Sequence, residues 1–129
     1  MMHKSSSVTR CENRLSEKEF GVETRAIQAD FTKLGIYEGI KEKLVGLDIG
    51  ILVNNVGMAT RISPFLDVPD GEKTYQDVLL VNNMSTVRMT HVVLPGMVEK
   101  RKGIIVNVSS ISDISPVPLT ATYSATKIF

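Results

Sequence analysis

Two short apolar runs constrain this chain more than anything else in it. Residues 49–53 read Ile-Gly-Ile-Leu-Val and residues 104–108 read Ile-Ile-Val-Asn-Val. Each is too short for a helix and rich in β-branched residues, the pattern of strands buried on both faces of a parallel sheet. Parallel neighbours need a crossover of a dozen or more residues, usually a helix. Residues 73–100 supply one, with Val78, Val81, Ser85, Met89 and Val92 at helical spacing. Pro95 is expected to kink or end that helix, because proline removes a backbone donor and crowds the preceding turn. Upstream, residues 25–29 read as a short strand closed by Asp30. Residues 34–45 read as a helix with Ile36, Ile40 and Leu44 on one face. A last helix begins near Tyr123. The order β-α-β-loop-α-β-loop-α predicts an α/β fold, a Rossmann-like doubly wound parallel sheet with helices on both faces and right-handed crossovers.

Composition narrows the function classes. The 129 residues amount to one domain or a piece of one, with 43% hydrophobic and 22% charged residues, as in ordinary globular proteins. The net charge of +1 sets up no field to steer nucleic acid, so no nucleic-acid partner is expected. Cys11 is the sole cysteine, so no internal disulfide can form. No apolar run reaches the roughly 18 residues of a membrane span, and the first seven residues carry no apolar signal core. Nothing in the pattern suggests a metal site.

In open parallel sheets, ligands gather at the carboxyl ends of the strands. Asp30, the turn Asn54-Asn55-Val56-Gly57 and the pair Ser109-Ser110 all fall there. Tyr123 and Lys127 stand four apart, which puts both on one face of a helix. A cation beside a tyrosine favours the phenolate, so the pair could act as a general acid/base. A solvated helix face has the same spacing. Ser110, 13 residues before Tyr123, could donate to a substrate oxygen or simply satisfy loop backbone. Asn82 is a poor helix former inside a helix. Buried, it needs partners for its amide; exposed, it needs none. Asn54 and Gly57 suit either a strand-ending turn or a ligand's close approach. Asp30 could cap the next helix or bond a cofactor ring.

Taken jointly, Asn54-Asn55-Val56-Gly57, Asn82, Ser110, Tyr123 and Lys127 resemble the short-chain dehydrogenase/reductase family. Residues 27–58 look like its 17β-hydroxysteroid dehydrogenase type 3 branch. Pro116-Val117-Pro118-Leu119 with Tyr123 and Lys127 looks like the sister type 12 branch of very-long-chain 3-oxoacyl-CoA reductases. The resemblance runs over residues 8–129. It implies NADPH as cofactor, with Tyr123 as proton donor to a ketone oxygen. Lys127 would favour the phenolate and bind the nicotinamide ribose, and Ser110 would orient the carbonyl. Asn82 would hold the helix backbone and a water of the proton relay. Asp30 would contact adenine, and Asn54 and Gly57 would shape the floor under the cofactor. Arg10 matches the position where a guanidinium pairs bidentately with the 2′-phosphate.

The family begins with a strand and a Gly-rich turn that holds the pyrophosphate, and neither is found in this sequence. Residues 1–129 are therefore expected to be a partial Rossmann domain, inactive alone, with the family's later elements also missing. The substrate implied first is a 17-ketosteroid, reduced to the 17β-alcohol. The alternative is a 3-oxoacyl-CoA, and a non-catalytic interaction fragment is the reading from another class. A homodimer through the helix at 73–100 and a place in the endoplasmic reticulum complete the expectations.

Overall fold

A computed structural model describes residues 18–115 and 117–128. The chain divides into two compact units, residues 1–30 and 31–129. In the first unit, residues 25–29 are not a strand, contrary to expectation. An apolar stretch becomes a strand only when a neighbour accepts its backbone hydrogen bonds. Arg25 instead forms an exposed ion pair with Glu23 at 3.0 Å. Asp30 does not cap the following helix either, since that helix starts six residues later, after Gly35.

The second unit carries helix α1 (Ile36–Leu44), strand β1 (Ile51–Asn54) and a 3-10 turn (Phe65–Asp67). A long helical stretch follows: α2 (Gly71–Leu79), a π turn (Leu80–Met84) and α3 (Ser85–Glu99). Strand β2 (Ile104–Asn107), the short helix α4 (Ile111–Ile114) and α5 (Ala121–Ile128) complete it. The strands β1 and β2 pair in parallel, Ile51 opposite Ile104 and Asn54 opposite Asn107. The crossover between them is the long helix, as the two apolar runs require.

The strands are not buried on both faces. Leu52 and Ile105 are half-buried, while Ile51, Val53, Ile104 and Val106 are exposed. Side chains alternate across a strand, and α3 packs against β1, so covering one face leaves the alternate residues open. The buried face of the long helix includes Val78, Val81, Ser85, Val93 and Met97, which with half-buried Met89 recur at steps of three and four. Its opposite side exposes Leu79, Val87, Leu94 and Val98.

Pro95 does not end the helix, which continues to Glu99. The stop is a Schellman motif. Lys102 N–H donates to Met97 O at 3.1 Å and Arg101 N–H to Val98 O at 3.0 Å, with Arg101 in the left-handed conformation (φ 52°). Gly103 follows because Met97 folds over it, its Sδ lying 2.5 Å from where a Cβ would stand. The Lys100 ammonium then bonds Asp48 and the carbonyl of Ile49, fastening the helix end to the start of β1.

Between α1 and α3, Tyr37 is 1% exposed, with Phe31 edge-on at 6.3 Å and the Arg88 guanidinium 5.0 Å from its ring centre. Its hydroxyl is buried without a hydrogen-bond partner among the described residues. Burial pushes the Tyr37 phenol above its usual range, partly offset by Arg88. A raised folded-state value means that stability is complete below the ordinary tyrosine range and is lost as pH rises through it. Tyr37→Phe is therefore expected to preserve or raise stability at neutral pH by up to about 1 kcal/mol. It should also flatten the alkaline decline; chemical denaturation at neutral and alkaline pH checks both.

Candidate active site

The site is built where β1 and β2 end. Asn54 and Asn107 are the last residues of the two strands and stand in register. The Asn54 side-chain amide donates to Asn107 Oδ1 at 2.9 Å and to Thr90 Oγ1 of α3 at 3.3 Å. It thus ties both strand ends to the helix layer beneath them.

Asn82 lies in the π turn and is 6% exposed. Its Oδ1 accepts from Met58 N–H at 2.7 Å, and its Nδ2 donates to Met58 O at 2.9 Å and Thr126 Oγ1 at 2.8 Å. One buried amide therefore joins the turn after β1 to helix α5. A π turn displaces carbonyls from the regular i to i+4 ladder. The hydroxyls of Ser85 and Thr86 donate to two of these carbonyls, Val81 O at 2.5 Å and Asn82 O at 3.2 Å. Beside it, Asn83 Nδ2 donates to Thr126 O at 3.0 Å.

Thr126 is the residue whose importance the sequence did not reveal. It is 5% exposed and donates its hydroxyl to Tyr123 O at 2.7 Å while accepting from Asn82. With both its oxygens engaged, α5 has one rotational setting, and that setting orients Tyr123 and Lys127. The only sequence signal was a polar residue next to Lys127 on the face toward the long helix.

Lys127 and Tyr123 are both half-buried. The Lys127 ammonium sits 5.8 Å from the Tyr123 ring centre, within cation–π range, and donates to Val108 O at 3.3 Å. Gly57 lies against it: a Cβ there would be 3.4 Å from Lys127 Nζ and 4.0 Å from Asn82 Oδ1. The glycine keeps the ammonium accessible. Ser110 caps α4, its Oγ accepting from Ser112 N–H at 3.3 Å. That contact uses a lone pair, so the hydroxyl hydrogen remains to be donated elsewhere.

Asn54, Asn82, Ser109, Thr126 and Lys127 share a cleft of about 60 Å³, enough for a few waters. A larger groove of about 400 Å³ lies at the opposite end of β1, walled by Leu44, Val45, Ile49 and Val93, and none of the candidate residues lines it. Asp30 belongs to the first unit, and Arg10 lies outside the described residues. Among the described residues there is no group of three metal-ligating side chains, and no helix is long and apolar enough to cross a membrane.

The sequence profile of the short chain dehydrogenases matches residues 2–129. The chain belongs to the short-chain dehydrogenase family. It is 53% identical over 118 residues to the very-long-chain 3-oxoacyl-CoA reductase of Bos taurus, covering 91% of this chain and 38% of that relative. It is 49% identical over 115 residues to human 17-beta-hydroxysteroid dehydrogenase type 3, covering 88% of this chain and 36% of that one. Among solved structures, the short-chain dehydrogenase from Sphingobium yanoikuyae in complex with NADPH superposes with a TM-score of 0.83 at 27% identity. That match covers 98% of this chain and 49% of the solved one. The chain thus spans well under half the length of these curated relatives. The fold is the α/β Rossmann-like fold expected, here a two-stranded parallel portion with its helices.

Proposed function

We propose that these residues carry the proton-transfer half of a nicotinamide-dependent ketoreductase whose substrate is a 3-oxoacyl-CoA thioester. The observation behind the reaction class is the Tyr123–Lys127 pair, held on one helix turn with the ammonium 5.8 Å from the ring centre. The 53% identity to the bovine 3-oxoacyl-CoA reductase supports the thioester substrate ahead of the ketosteroid first expected. The 49% identity to the human 17-beta-hydroxysteroid dehydrogenase keeps 17-ketosteroids as the second reading.

Tyr123 donates its phenolic proton to the ketone oxygen as that oxygen gains negative charge. Ser110 donates its free hydroxyl hydrogen to the same oxygen and fixes its direction. Lys127 holds a positive charge beside the tyrosine, within cation–π range of its ring. Asn82 and Thr126 keep the helix carrying both groups in register, and the adjoining cleft admits the water that returns the proton.

The residues present fit a nicotinamide cofactor, because Gly57 leaves the Lys127 ammonium uncovered for a ribose hydroxyl. When bound, NADPH supplies the hydride. Arg10 would select the 2′-phosphate form, Asp30 would meet the adenine, and Asn54 would support the floor beneath. The reading also takes residues 1–129 as part of one Rossmann domain working in the endoplasmic reticulum. Pairing of two copies through the exposed side of the long helix fits it as well.

The test is consumption of NADPH by the longest in-frame product that contains this segment, offered a long-chain 3-oxoacyl-CoA and androstenedione in parallel. Faster turnover per KM on the thioester is expected. Turnover of the steroid alone would reverse the order of the two readings, and turnover of neither would remove both.

A further inference from the structure

The Ser109 hydroxyl lies 2.6 Å from the main-chain carbonyl of Lys127 and 2.5 Å from Asp113 Oδ2. Both neighbours are acceptors and a serine has one hydrogen, so that hydrogen is shared between them. Asp113 sits in α4, and its other oxygen is buried without a partner among the described residues, so none of these offers a competing bond to turn the carboxylate away. One residue earlier, Val108 O accepts from the Lys127 ammonium at 3.3 Å. One residue later, Ser110 caps α4. Lys127 is therefore held twice by one short segment, its ammonium by residue 108 and its carbonyl by residue 109. The same segment carries the serine expected to face the substrate.

From this geometry we infer that Ser109, oriented by Asp113, is the positioning residue that sets Lys127, and through it Tyr123, relative to Ser110. This deepens the ketoreductase reading and rests on it for its effect on rate. The residues act through Lys127 and touch no reacting atom. Ser109 itself is exposed, so water replaces its hydrogen bonds readily and the fold depends little on them. Its removal should therefore disturb the placement of Lys127 far more than the stability of the chain.

The test reads Lys127 directly. The chain is treated briefly with an amine-acetylating reagent, and the labelling of Lys127 is measured by mass spectrometry against exposed Lys43. Ser109→Ala is expected to raise the Lys127-to-Lys43 ratio about threefold or more with the melting temperature nearly unchanged. Ser109→Thr keeps the hydroxyl and should restore the ratio. Asp113→Asn keeps an acceptor oxygen and should resemble the parent, whereas Asp113→Ala should follow Ser109→Ala. In the longest in-frame product, Ser109→Ala should also lower kcat about tenfold at similar KM. An unchanged ratio in Ser109→Ala, or a parent in which Lys127 labels as fast as Lys43, overturns the inference. The labelling does not depend on turnover. An inactive parent with the expected labelling therefore sinks the ketoreductase reading and leaves the role of Ser109 supported.

Discussion

Tyr123→Phe in the longest in-frame product is expected to lower kcat for ketone reduction by about 10²–10⁴-fold, the usual worth of a positioned proton donor. The ring is half-buried and keeps its packing, and its place over the Lys127 ammonium is unaltered by loss of the hydroxyl. Stability should therefore change by less than about 1 kcal/mol, and NADPH binding should persist. The measurement is steady-state NADPH consumption beside cofactor titration. A variant that keeps more than a tenth of the parent rate would show that another group supplies the proton.

The largest stability effect should come from Asn82→Ala. The substitution strands the N–H and carbonyl of Met58, bonded to this side chain at 2.7 and 2.9 Å, and removes the bond that Thr126 Oγ1 accepts at 2.8 Å, although that hydroxyl keeps its own bond to Tyr123 O. A buried polar group left without a partner costs about 1–3 kcal/mol. Water in the adjoining cleft recovers part of this, leaving an expected loss of about 3 kcal/mol. Asn82→Asp should lose comparably, because it keeps the acceptor toward Met58 N–H but presents oxygen to the carbonyl of Met58. Urea unfolding followed by circular dichroism reads the change. A loss below about 1 kcal/mol would mean that the π turn holds α5 in place without this amide.

What could be read from residues alone follows the distance over which each feature is specified. The Tyr123–Lys127 pair is local: four residues on a helix share a face whatever surrounds them. The parallel pairing of β1 and β2 was equally legible, because two apolar runs joined by one long helical pattern admit few other topologies. Asn82 was legible as a polar residue in need of partners, but not the partners themselves, which lie 24 and 44 residues away. Thr126 escaped notice for the same reason, and Ser109 was legible only as a polar residue at a strand end. A hydroxyl's role depends on which carbonyl or amide the fold brings to it.

One expectation failed for want of a neighbour: residues 25–29, Arg-Ala-Ile-Gln-Ala, form no strand, because a strand exists only through a pairing partner. Of the two outcomes expected at Pro95, a kink or an end, the end does not occur: the helix runs through the proline and stops where Arg101 turns left-handed and Met97 covers Gly103. Helix continuation there is decided by packing against α1 and β1, not by the proline alone.

By itself, then, the sequence determined the alternation of strands and helices, the polar residues at strand ends, and the placing of Tyr123 and Lys127 on one helix turn. Each is encoded within a few residues by periodicity or by the chemistry of a single side chain. Only the tertiary structure decided that Asn82 binds Met58 and Thr126, that Ser109 grips the backbone of Lys127, and that one face of the sheet is open. Those outcomes are set by directional hydrogen bonds and burial between segments distant in the chain, which local pattern does not specify.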